Sequence, residues 1–324
     1  MSFWRGRHVF VTGGTGFLGG CLMEELADLG AAVVGLVRDD VAHSQFRARR
    51  LFDRVDVVRG SVEHYETIER ALNEYEIDTV FHLAAQAIVG VANRNPMSTF
   101  ETNIKGTWVL MEACRRSPGL SRVVVASSDK AYGRHDQLPY EEHFPLRGEH
   151  PYDVSKSCAD LIALSYHHTY ATPVCVTRCG NLFGPGDMNF SRIIPGTIRS
   201  VLAGSRPIIR SDGSPVRDYV YVRDAVSAYL KLAEGMDDAS IHGQAFNFGT
   251  GEPVPVLDLT WRILKLAGRP DLEPVVQNLG GGEIHAQYLS SGRANEILGW
   301  WPGATLDQRL GETIDWYSAN RDRL

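Results

Sequence analysis

The sequence predicts an α/β fold, a doubly wound parallel sheet followed by a smaller C-terminal lobe. Three observations lead there. Over the first 180 residues, short apolar runs alternate with longer amphipathic stretches, the pattern of a parallel sheet with helices on both faces. A glycine-rich turn joins the first apolar run to the first amphipathic one, with the spacing of a Rossmann-type dinucleotide-binding turn. After Asn181 the texture changes: Gly184, Pro185, Gly186, Pro195, Gly196, Gly213 and Pro215 crowd in and the elements shorten. We therefore expect a Rossmann domain over residues 1–180 and a substrate-binding lobe over 181–324, with the chain crossing between them.

Element by element, strands are expected at 8–12, 32–37, 55–59, 79–83, 122–126 and 174–178. Helical periodicity falls at 17–29, 65–74, 103–116 and 153–170. Ligands of such folds bind outside the C-terminal ends of the strands, so strand-end residues carry the most information.

Composition narrows the function classes. The chain has 324 residues, 44% of them hydrophobic, enough for a large core. A net charge of -6, with the signs mixed along the chain, argues against nucleic-acid or membrane partners. No apolar run approaches the length of a bilayer span. The N-terminal run enters a strand without an apolar signal core, and five cysteines leave an odd count. The expectation is a cytoplasmic protein. Cys175 and Cys179 stand four apart without partners at metal spacing, so no metal site is expected.

The cofactor signal is local. Gly13, Gly16 and Gly19 form G-x-x-G-x-x-G, with Thr15, Phe17 and Leu18 between them. Gly13 permits a tight turn, Gly16 lets backbone amides approach a pyrophosphate, and Gly19 lets the helix pack closely on the strand. The helix N-terminus favours the negative charge. Asp39, twenty residues beyond Gly19 at the end of strand two, is placed to bond a ribose 2′-OH and select NAD over NADP. Arg38 beside it suits a 2′-phosphate, or stacks on adenine. Ser61 and Val62 end strand three, where an adenine edge is met. Leu83, Ala84, Ala85 and Gln86 end strand four with mostly small residues along which the cofactor lies. Asn103, opening the next helix, is assigned to the same site. His82 reads as a packed strand residue.

The chemistry is expected at strand five and the helix beyond it. Ser128, Asp129 and Lys130 end that strand, and Tyr152 and Lys156, four apart, share a helix face. A lysine ammonium near a tyrosine stabilises the phenolate and lowers its pKa, as would a bound nicotinamide's charge. Tyr152 is then a general base for an alcohol, with Ser128 as its hydrogen-bonding partner.

Together, the glycine loop, the run 82–85, Ser128, Tyr152/Lys156 and the run 217–222 resemble the extended short-chain dehydrogenase/reductases that act on nucleotide-sugars. Within these, residues 3–6, 81–86, 128–130 and 178–181 are most similar to the CDP-glucose 4,6-dehydratases. The resemblance implies that Tyr152 and Lys156 serve oxidation and Asp129/Lys130 serve elimination. It implies a recycled NAD, a nucleotide-diphosphate sugar as substrate, and a homodimer formed through the two long helices of the first lobe. It places Asn181, Arg192 and Arg217 around the diphosphate, and an arginine's planar fork suits that group. Ile193 and Pro195 enter the cleft with Arg192, and Arg210 and Arg293 are further candidates. Glu283, His285 and Gln287, after the 280–282 turn, receive no role. A 4-epimerase would use Tyr152 and NAD in the same way, and stays open as the alternative.

Overall fold

The computed structural model describes residues 2–39, 41, 44–279 and 284–324. Its centre is a seven-stranded sheet: β1 (His8–Thr12), β2 (Ala32–Val37), β3 (Asp56–Arg59), β4 (Thr79–His82), β5 (Arg122–Ala126), β6 (Val174–Cys179) and β7 (Ala245–Phe248). The order is β7-β6-β5-β4-β1-β2-β3, with every neighbouring pair parallel. The order reverses between β1 and β4, the topological switch point where such sheets open a crevice. This is the Rossmann-type arrangement.

The apolar runs become strands because both faces of the sheet are covered. Val9, Phe81 and Val124 sink into one core, and Phe10, Val80, Val123 and Val125 into the other. The long helices are α1 (Phe17–Asp28), α2 (Tyr65–Glu74), α3 (Gly106–Arg116) and α4 (Pro151–Tyr170). Pro151 begins α4 at a position where its missing N–H costs nothing. The segment expected as one helix from 103 instead starts as a π-helical turn, Glu101–Lys105, before α3.

The chain after 180 does not stay in the smaller lobe. Helix α5 (Ile193–Leu202) belongs to that lobe, but α6 (Val222–Gly235) returns to pack on α1. β7 then adds the seventh strand, Ala245 pairing with Val176. Val226, Tyr229, Phe246 and Trp300 thereby share a core with Val9 and Leu22. The smaller lobe keeps its own core around Phe183, Ile198, Tyr221, Ile263, Leu310 and Tyr317. No helix among the described residues is long and apolar enough to cross a membrane.

Candidate active site

A cleft of about 1230 Å³ opens between the C-terminal strand ends and the smaller lobe. Gly13, Thr15, Gly16, Phe17, Leu18 and Gly19 form one wall. Gly16 caps α1 without a side-chain hydrogen bond, so the first amides of that helix face the cleft unpaired by any capping side chain. Gly13 has φ +76°, and a Cβ there would stand 2.7 Å from the Leu83 carbonyl carbon and the Ala84 nitrogen. A Cβ at Gly19 would stand 2.2 Å from the Gly13 oxygen. The loop is a backbone cradle at a helix N-terminus, and it fits a dinucleotide's pyrophosphate.

Charge points the same way. The described lining carries Lys130, Lys156, Arg192, Arg199, Arg210 and Arg217 against one carboxylate, Asp129. In a chain of net charge -6, that concentration of cations suits anionic ligands.

At the bottom of the cleft stand Ser128, Asp129, Lys130, Tyr152 and Lys156. Asp129 is 1% exposed. The Ser128 hydroxyl donates to its Oδ1 at 3.0 Å and the Lys130 ammonium to its Oδ2 at 2.7 Å. Burial pushes the Tyr152 phenol up to about 12, with the Asp129 charge adding to it. A hydrogen bond with Ser128 and the Arg192 charge pull the other way. Among the protein's own groups, burial outweighs the polar partners of the ring; the expected lowering also counts a bound nicotinamide's charge, which lies outside that balance. The Lys156 ammonium donates to the Ala126 carbonyl at 2.7 Å, and burial brings it down to about 8. His82 is buried between the Thr12 and Thr107 hydroxyls, at 2.8 and 3.1 Å. Desolvation, helped by the Lys156 charge, pushes it down to about 3. It is a neutral packing residue.

Other expected residues separate into three groups. Leu83, Ala85, Asn181, Arg192, Ile193, Pro195, Arg210 and Arg217 line the cleft. Asn103 does not. Buried behind the wall, its Oδ1 accepts from the Gln86 amide at 2.7 Å and its Nδ2 donates to the Ser155 hydroxyl at 2.8 Å. Ser155 in turn donates to the Tyr152 carbonyl, so Asn103 braces the helix turn that carries the tyrosine. The Ala84 amide donates to the Thr12 hydroxyl. At the sheet edge, Arg38 and Asp39 pair with each other at 2.7 Å, both well exposed and outside the cleft lining. The Ser61 hydroxyl donates to Glu63, and the Val62 side chain belongs to the core.

Arg293 is a correction. It donates at 3.1 Å to the carbonyl of Ala245, the first residue of β7, at the strand's opposite end from the cleft. Among the three residues left without a role, Gln287 pairs beside Arg217 in a short strand, and the His285 carbonyl accepts from Arg217 at 3.0 Å. Glu283 and the 280–282 turn lie outside the described residues.

Sequence reasoning missed several lining residues. Ile88, Val89 and Asn93 follow β4, and His150 caps α4 just ahead of Tyr152. Their closeness in sequence to β4 and to Tyr152 was the available signal. Tyr229 reaches the cleft from α6 and accepts from Thr177 at 2.6 Å. Nothing local announces it.

Fold and site together define a Rossmann-type protein built to hold a dinucleotide beside a second anionic ligand. The chain belongs to the NAD dependent epimerase/dehydratase family, whose pattern it matches over residues 9–249. It is 30% identical over 332 residues to a CDP-glucose 4,6-dehydratase of Salmonella typhimurium, covering 98% of this chain and 92% of the relative. Among solved structures it is similar to a UDP-glucose 4-epimerase of Thermotoga maritima bound to UDP-glucose. That likeness has a TM-score of 0.88 and 29% identity, covering 97% of this chain and 99% of the other. A dTDP-glucose 4,6-dehydratase of Bacillus anthracis in complex with NAD is similar at TM-score 0.85 and 26% identity, covering 98% of each chain.

Proposed function

We propose that the protein is an NAD-dependent nucleotide-sugar 4,6-dehydratase that converts an NDP-hexose, CDP-glucose or a close analogue, to its 4-keto-6-deoxy product. The observation that carries this is the Asp129/Lys130 ion pair beside Ser128 in the cleft, its carboxylate buried. A 4-epimerase loses no group and needs nothing acidic beyond its tyrosine. A dehydratase must protonate hydroxide as it leaves C6, and a cleft carboxyl is suited to that.

The glycine wall, Leu83 and Ala85 would hold NAD, and Asp39 favours NAD over NADP. When bound, NAD accepts the hydrogen of C4 and later returns it. Arg192 and Arg217 grip the diphosphate, with Asn181 beside them. Tyr152 takes the C4 hydroxyl proton as the phenolate, a form favoured by the Ser128 hydrogen bond, the Arg192 charge and the positive charge a bound NAD would add. Once C4 is a ketone, the C5 proton is acidified. With the proton of the Lys130–Asp129 pair moved onto the carboxylate, the Lys130 amine takes the C5 proton while Asp129 protonates the hydroxide leaving C6. The hydrogen taken from C4 then enters C6 as Lys130 returns a proton to C5. Before that step Asp129 is the carboxylate of an ion pair, held in place by the Lys130 ammonium and the Ser128 hydroxyl. Lys156, tied to Ala126, fixes the strand end against α4 and adds positive charge near the reacting centre.

A homodimer through α3 and α4 is part of the proposal, supported by Trp108 and Leu161 exposed on those helices. A cytoplasmic setting fits the five free cysteines. The second reading, an NDP-sugar 4-epimerase, is favoured by the likeness to the Thermotoga enzyme.

Mass spectrometry after incubation with CDP-, dTDP- and UDP-hexoses separates the two. A dehydratase yields a product lighter by one water, and Asp129→Asn slows that loss at least ~100-fold while KM changes little. An isomer of unchanged mass would show an epimerase.

A further inference from the structure

One buried contact joins α1, behind the glycine wall, to the loop after strand residues 181–183, and takes no part in the chemistry above. Gln45 opens a short helix after β2 and is 6% exposed. Its side chain lies between α1 and the loop that follows strand residues 181–183. A Cβ at Gly20 of α1 would stand 2.6 Å from the Gln45 Cβ. Its Oε1 accepts from the Arg49 guanidinium at 3.2 Å, and Arg49 also grips Glu24 and the Cys21 sulfur of α1. Its Nε2 donates to the Gly186 carbonyl. Both ends of the amide are therefore committed, one toward the helix that carries the glycine turn and one toward the smaller-lobe side.

The receiving loop is shaped for this contact. Gly186 has φ +88°, and a Cβ there would stand 2.7 Å from the Gln45 nitrogen. The next residue, Asp187, holds Arg192 at 3.0 Å, and its carbonyl accepts from the Tyr317 hydroxyl of the smaller-lobe core. The connections run from α1 through Arg49, Gln45 and Gly186–Asp187 to an arginine of the cleft. Gln45 itself does not line the cleft.

We infer that Gln45 is a positioning residue that retains the dinucleotide, a buried strap across the cofactor end of the cleft whose opening sets the rate at which NAD leaves. This rests on the reading that the glycine wall holds NAD. An enzyme that oxidises and reduces in one site gains from a cofactor that stays between turnovers, and a strap outside the cleft slows exchange without touching the reacting atoms.

The test is exchange of bound radiolabelled NAD against excess unlabelled NAD in the purified holoenzyme. Gln45→Met keeps the length and the contact with Gly20 but neither donates to Gly186 nor accepts from Arg49. It should release NAD about five- to tenfold faster, the effect of losing the one net buried hydrogen bond that crosses to Gly186, since Arg49 keeps its hold on Glu24 and Cys21 of α1, with kcat at saturating NAD within about twofold of wild type. Gln45→Glu, which sets an acceptor against the Gly186 carbonyl, should release it at least as fast and serves if the first variant folds poorly. Release at the wild-type rate in both variants overturns the strap and leaves the proposed function standing. A wild type that holds no NAD overturns the strap together with the cofactor assignment.

Discussion

The two ends of the cleft are built by different means. The cofactor end is main chain: one turn of glycines, one helix N-terminus, one run of strand-end residues. The sugar end is side chains brought together from separate elements, with Ser128, Asp129 and Lys130 after β5, Tyr152 and Lys156 on α4, and Arg192 and Arg217 from the smaller lobe. A backbone cradle tolerates side-chain change except where a Cβ would intrude. A side-chain cluster fails when a single functional group is removed. Loss of cofactor and loss of turnover are therefore expected to come from different kinds of substitution.

The largest expected effect is at the sugar end. Tyr152→Phe removes the proposed base and keeps the ring, so kcat should fall by about 10²- to 10⁴-fold with bound NAD and KM nearly unchanged. Steady-state kinetics beside the dinucleotide content of the purified variant checks this, and near-normal turnover would break the comparison at that end. The backbone end should fail differently. Gly13→Ala adds a Cβ against the Leu83 and Ala84 main chain at a positive φ, so the purified variant should carry at least ~10-fold less NAD. A variant that retains NAD but turns over slowly would contradict the assignment of that wall.

The smallest effect is one of stability and sits between the two ends. His82 is held down to about 3 in the folded chain, against an ordinary value of 6.5. Between those values the unfolded chain binds the extra proton, so the stability from a neutral His82 is complete above pH 6.5 and lost as pH falls toward 3. The slope is at most ~1.4 kcal/mol per pH unit. His82→Gln keeps a polar group between Thr12 and Thr107 without titrating. Its Tm should drop less than the wild type's between pH 6.5 and 4.5, and parallel pH profiles would remove His82 from the account.

The same contrast explains what was legible in the chain. Six of the seven sheet strands were legible as short apolar runs: the inner ones because a parallel strand buried on both faces is apolar along its length, and edge strand β3 through Val57 and Val58 between two exposed charged residues. β7 did not, because Ala245–Phe248 carries the buried polar Asn247 in the middle of a short run and so shows no continuous apolar stretch. The glycine turn was legible because its function is local geometry. Arg293 was misplaced because an arginine's partner, here the Ala245 carbonyl, is chosen by tertiary structure. Asn103 was assigned to the cofactor, whereas the structure sets it behind the wall, bracing Gln86 and Ser155. The burial that opposes ionisation of Tyr152 was not legible for a related reason: spacing reveals a neighbouring lysine, but burial sums over every element packed around the ring.

In the proposed reaction a hydrogen moves from C4 to C6 of one sugar while water leaves. The most direct measurement uses an NDP-glucose deuterated at C4, with the product examined by NMR and mass spectrometry. The account predicts deuterium at C6 of a 4-keto-6-deoxy sugar. Deuterium remaining at C4 of an epimerised sugar, with no water lost, would contradict it and establish the 4-epimerase in its place.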